Sequence, residues 1–88
     1  MTQTQLDANK IIMYSASWCS DCYRAKWFFD NYGVAYAEVN IEQDPAGIQT
    51  VLKLNGGKRS VPTILFPDGS VLVEPTTREL AHKVGVQL

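Results

Sequence analysis

Both cysteines of the chain fall within SWCSDCYRAKWFF, Ser17 to Phe29, and much of the architecture follows from where this stretch begins and ends. Just ahead of it, Ile11, Ile12, Met13 and Tyr14 form a short continuous apolar run, the pattern of a strand buried on both faces. From Cys19 a helical pattern takes over: Cys22, Ala25, Phe29 and Tyr32 recur on one face, and Gly33 supplies the stop. Cys19 therefore sits at the carboxyl end of a sheet strand and the amino end of a helix. Free backbone N–H groups and the positive end of the helix dipole favour an anion there.

Downstream, Tyr36 to Asn40 reads as a second strand. Asp44 followed by Pro45 is a helix start, an N-cap acceptor and then a proline whose missing donor costs nothing. Ile48, Val51 and Leu52 mark one face of that helix, which Asn55-Gly56-Gly57 ends. Val61 to Phe66 reads as a third strand, Pro67-Asp68-Gly69 as a turn and Val71 to Glu74 as a fourth strand. Thr76 or Thr77 caps a last helix carrying Leu80, Ala81 and Val84. The order is β-α-β-α-β-β-α. It predicts an α/β fold: a four-stranded mixed sheet with helices on both faces, the first two strands parallel and the hairpin antiparallel. Residues 1–88 form one domain in this reading, with 1–9 a loosely ordered leading segment.

Composition excludes several functions. Acidic and basic residues nearly cancel, at 9 against 8, which gives no reason to expect nucleic acid or an anionic membrane as partner. MTQTQLDANK has no positive n-region, and no apolar segment is long enough to span a bilayer. The expectation is a cytoplasmic monomer, a setting in which a lone CxxC is catalytic or metal-binding rather than a structural staple. A closed zinc site needs about four ligands. The CxxC supplies two, and the only histidine, His82, stands in the last helix without a matching partner, so no metal is expected. Core packing accounts for Cys22, which shares a stripe with Ala25, but explains Cys19 poorly, since it lies off that stripe. Redox chemistry remains: Cys19 attacks a disulfide, and Cys22, one turn on, attacks Cys19 to release the product. Asp21 is expected to tune this pair, its charge disfavouring the thiolate against the pull of the helix terminus and making the couple more reducing.

The CxxC, the element order and the Val61-Pro62 step together resemble the glutaredoxin branch of the thioredoxin fold over roughly residues 10 to 85. WCSDC with its helix, and NGGKRSVPT followed by FPDGS, are the most specific parts, and the likeness is greatest to the mycoredoxins. The resemblance implies a thiol–disulfide oxidoreductase of cell redox homeostasis, reducing protein disulfides or mixed disulfides. Its co-substrate would be a low-molecular-weight thiol (mycothiol, bacillithiol or glutathione), with a thioredoxin reductase or similar enzyme as electron donor and no tightly bound cofactor. It also implies that Pro62 is a cis-proline facing the CxxC and leaves the Val61 main chain to meet substrate. Arg59 would hold a carboxylate of the bound thiol, and Ser60 would line its groove. Trp18 shields one side of the disulfide and offers a contact surface. Glutathione-binding members usually carry a Gly-Gly pair after the last strand and an acidic residue opening the last helix. Here that stretch is Glu74-Pro75-Thr76-Thr77, and the basic residue common before the CxxC is Ala16. The other function considered is an iron–sulfur cluster carrier, two chains sharing a cluster through Cys19 and cofactor thiols. A redox-inert binding module is a third, with Tyr23 and Trp27 as a docking patch or as packing for the leading segment.

Overall fold

The computed structural model describes residues 10–88. The expected loose order of residues 1–9 lies outside the described residues. The elements follow the predicted order: β1 (Ile11–Ser15), α1 (Ser20–Asn31), β2 (Tyr36–Asn40), α2 (Pro45–Leu54), β3 (Thr63–Leu65), β4 (Val71–Val73) and α3 (Thr77–Val84). They build one sheet in the order β2-β1-β3-β4, with β1 parallel to β2 and antiparallel to β3, and β3 antiparallel to β4.

β1 is buried throughout because it has a core on each side. Its alternate residues separate by face: Ile11 and Met13 join Ala25, Phe28, Phe29, Leu80 and others, whereas Ile12 and Tyr14 join Cys19, Cys22, Ile41, Val51 and Val61. The helix α1 thus serves both clusters. Its first turn packs with the α2 side, and its later turns pack with α3.

Local sequence sets the helix ends. Asp44 caps α2 by accepting from the Gly47 N–H at 3.2 Å, with Pro45 in the first turn. Thr76, not Thr77, caps α3, and Glu79 reaches back at 2.8 Å to complete a capping box. Gly47 lets α2 lie close to β2, since a Cβ there would meet Val39 Cγ1 at 2.9 Å.

Three expectations need correction. β3 is three residues long rather than six, because Pro62 has no N–H for the ladder and Phe66 already belongs to the turn, its N–H donating to Ser70 O at 2.9 Å. β4 stops at Val73. Glu74 leaves the strand at φ +50, its N–H still held by Pro62 O at 2.9 Å. Tyr32 is not a buried stripe residue; it is the C-cap of α1 and is exposed, and Phe28 takes the buried place instead.

Candidate active site

Where β1 gives way to α1, Ala16, Ser17 and Trp18 turn the chain, and the Cys19 N–H donates to Ala16 O at 3.3 Å. Ser17 is tied on three sides. Its N–H donates to the Glu42 carboxylate at 2.9 Å, its hydroxyl accepts from the Asn40 amide at 3.1 Å, and its carbonyl accepts from the Tyr23 hydroxyl at 3.0 Å. The Ser17 N–H is also the main reason why Glu42 is held below the usual carboxylate range. Neither Glu42 nor Asn40 stood out in the sequence, where they follow or end a strand without a motif. Tyr23 stood out only as an aromatic, whereas its hydroxyl anchors the loop.

Cys19 is the N-cap of α1. Its sulfur accepts the Cys22 N–H at 3.1 Å and donates to the Val61 carbonyl at 3.6 Å. The helix terminus thus directs one of its unpaired amides onto sulfur, the interaction that stabilises charge there. The Val61–Pro62 bond is cis. The segment carrying it is held from below: Asn55 donates to the Thr63 hydroxyl at 2.8 Å, which donates to Ser60 O at 2.7 Å. Asn55, read in the sequence only as a helix stop, is therefore part of the support.

Exposure hardly separates the two cysteines, at 5% for Cys19 and 2% for Cys22. What they face does. Cys19 lines an open groove of about 340 Å³ with Trp18, Asp21, Arg59, Ser60 and Glu74. Cys22 lines a smaller, partly open pocket of about 90 Å³ with Ser17, Tyr23, Lys26, Glu38 and Asn40. Burial pushes the Cys22 thiol up to about 12, and its hydrogen bond with Cys19 adds to the effect.

The structure thus brings Trp18, Cys19, Asp21, Arg59, Ser60 and Val61 to one groove, with Pro62 buried directly behind Val61. Trp18 is 71% exposed at its mouth. Asp21 pairs with Arg24 at 3.1 Å, so part of its charge is answered within α1. In the sequence Glu74 reads as the end of the fourth strand and departs from a Gly-Gly pattern; its turn out of β4 puts it on the groove wall.

A mixed four-stranded sheet with three helices, and a CxxC opening the first of them beside a cis-proline, defines a thiol–disulfide oxidoreductase of the thioredoxin fold. The glutaredoxin family model matches residues 11–71, and the chain belongs to that family. Rv3198A of Mycobacterium tuberculosis H37Rv, which carries the glutaredoxin name, is 40% identical over 74 residues, covering 84% of this chain and 88% of that protein. Mycoredoxin 1 of Corynebacterium glutamicum is 28% identical over 76 residues, 86% of this chain and 94% of the relative. Among solved structures, the thioredoxin-like protein BC3987 superposes with a TM-score of 0.74 at 29% identity, covering 83% of this chain and 97% of that one. A buckwheat glutaredoxin in complex with glutathione shares the fold, with a TM-score of 0.67 at 24% identity over 89% of this chain and 74% of that one.

Proposed function

We propose that the protein reduces mixed disulfides between proteins and a low-molecular-weight thiol, with Cys19 as the attacking nucleophile and Cys22 as the resolving thiol. The observation that carries this reading is the different surroundings of the two sulfurs. Cys19 lines the outer groove and accepts an amide at a helix N-terminus, whereas Cys22 is turned inward and kept protonated by burial. The groove has the volume of a small-molecule site, and Trp18 gives it an aromatic lip. In this reading Arg59 supplies a cationic contact, and Ser60 with the Val61 main chain guides an extended partner past the disulfide. The protein works in the cytoplasm, as a monomer, and is returned to its dithiol form by a thiol pool or a thiol–disulfide reductase.

The test is to trap the intermediate. Cys22→Ser protein, mixed with peptides carrying mycothiol, bacillithiol or glutathione disulfides, is expected to accumulate a one-thiol adduct at Cys19, seen by intact mass and peptide mapping. The thiol that loads fastest identifies the co-substrate. No adduct with any of the three, or an adduct mapped away from Cys19, would reject the assignment.

Glu74 bears on which thiol is used. Its carboxylate and that of Asp21 share the groove with only one cation, Arg59. Glutathione carries two carboxylates against one ammonium, a net negative charge, so the groove should disfavour it relative to an uncharged thiol. Glu74→Gln is expected to raise kcat/KM for glutathione mixed disulfides by roughly 1.4- to fivefold relative to mycothiol ones, the effect of about 0.2–1 kcal/mol for an exposed charge interaction. An unchanged ratio would remove Glu74 from substrate selection.

A further inference from the structure

Both tryptophans of the chain are exposed, Trp18 at the groove mouth and Trp27 on the outer side of α1. Between them stands Tyr23, one turn before Trp27 on the same helix face, and each of the three is more than half exposed. The Tyr23 hydroxyl donates to Ser17 O at 3.0 Å, which ties this face to the loop that carries Trp18. The three aromatics form a strip that starts at the groove and runs back along α1. At roughly 1.5 Å of rise per residue, Trp27 stands about 12 Å along the helix from Cys19. It is not part of the groove wall, and a small thiol held there does not reach it.

Charge and area narrow what can lie on the strip. The charges beside Tyr23 are answered within the chain, Asp21 by Arg24 at 3.1 Å and Lys26 by Glu38 at 3.3 Å, so the strip offers aromatic surface rather than net charge. Taking about 150–250 Å² for a whole aromatic side chain, complete cover of the exposed parts would bury roughly 300–450 Å². A patch of that size marks an interaction site on a monomer. It is about half of the roughly 800 Å² that each partner gives to a standard interface, and well short of a stable homodimer. The occupant is therefore an uncharged segment that stays briefly. Because the strip is continuous with the groove, that segment belongs to whatever is joined to the thiol being transferred.

We infer that the Trp18–Tyr23–Trp27 strip docks the protein half of the mixed disulfide, through an apolar or aromatic residue about four positions from the substrate cysteine. This rests on the proposed reduction of protein mixed disulfides at Cys19. An extended segment advances about 3.3 Å per residue, so about four residues span the distance from Cys19 to Trp27. Tryptophan and tyrosine are the side chains that dominate such contacts. In the step served, the Cys19 thiolate bonds to the sulfur of the low-molecular-weight thiol, and the S–S bond to the protein substrate breaks. That protein leaves with the electron pair as its thiolate. The contact therefore acts on attack by Cys19 and is released before Cys22 resolves the adduct.

A competition between two peptides tests this. Each carries its cysteine as a mixed disulfide with the uncharged thiol 2-mercaptoethanol. One has Phe about four positions to either side of the cysteine, and the other has Ser at the same places. Both compete in one solution for a limiting amount of reduced protein, and mass spectrometry of the released peptides reads the ratio of their kcat/KM values. The wild type is expected to consume the Phe peptide at least about threefold faster. Trp27→Ala should bring the ratio to about one, while single-turnover reduction of bis(2-hydroxyethyl) disulfide stays within about twofold of wild type. Trp27→Phe should keep most of the preference. Partial unfolding of a variant lowers both peptide rates alike and leaves the ratio untouched. Equal consumption by the wild type, as follows when residues 1–9 or a second copy cover the strip, overturns the docking role. So does a preference that survives Trp27→Ala. Release of neither peptide would instead remove the proposed chemistry of Cys19, and the docking role with it.

Discussion

Cys19→Ser should lower turnover of every disulfide substrate at least about a thousandfold, because a neutral hydroxyl is a poor nucleophile toward sulfur and the groups hydrogen-bonded to residue 19 among the described residues, the Cys22 N–H and the Val61 carbonyl, are not bases. The loss should come without unfolding. Residue 19 is the N-cap of α1, and serine is among the preferred capping residues, so the variant retains or improves the acceptor for the Cys22 N–H. Cys22→Ser is expected to behave differently, retaining turnover of mixed disulfides when a free thiol can perform the second step and losing reduction of intramolecular protein disulfides. Steady-state rates for both substrate types, measured beside thermal unfolding of each variant, check this. A Cys19→Ser protein with more than a few percent of wild-type turnover would mean that the attacking group has been misassigned.

The second large effect concerns stability. Phe28 is fully buried between β1 and α3, edge-on to Phe29 at 5.8 Å and tilted against Tyr32 at 5.0 Å. Truncating it to alanine removes the ring's burial and leaves a cavity, a loss of about 3–5 kcal/mol from a domain whose total is on the order of 5–15 kcal/mol. The thermal midpoint should fall by roughly 15 °C or more. Trp27, its neighbour in sequence, is 59% exposed on the opposite side of α1, and Trp27→Ala should change stability by no more than about 0.5 kcal/mol. Similar shifts for the two substitutions would contradict the placement of the α1 faces.

The pair also marks the limit of what periodicity reveals. The stripe Cys22–Ala25–Phe29 identifies the buried face of α1 but not its width. Phe28 is buried because α1 contributes to the core it shares with α3, and that partner is remote in sequence. The strongest local signals survive folding unchanged: the run Ile11–Tyr14, the Asp44–Pro45 helix start, and Cys19 at a strand-to-helix junction. Each depends on chemistry within a few residues. Signals of the second kind were silent. Glu42 and Asn40 hold the Ser17 loop across 25 and 23 residues of chain, and Glu38 meets Ser15 across the sheet and Lys26 on α1. Nor could β4 be seen to end one residue early. Glutamate is a poor candidate for positive φ, and the hydrogen bond that holds its N–H, to Pro62 O, comes from a residue twelve positions away.

In the proposed chemistry the sulfur of Cys19 has two occupations, as cap acceptor for α1 and as reacting atom. A thiol or thiolate accepts the Cys22 amide better than a sulfur in an S–S bond does, so in that chemistry each turnover would loosen and restore the first turn of the helix. Thermodynamic reciprocity then makes helix capping a contributor to electron affinity. A capping difference of about 1 kcal/mol between the two states corresponds to roughly 20 mV, in the direction that favours the reduced protein and opposes the effect expected of Asp21. The secondary structure of this domain and its redox poise are therefore coupled through a single atom.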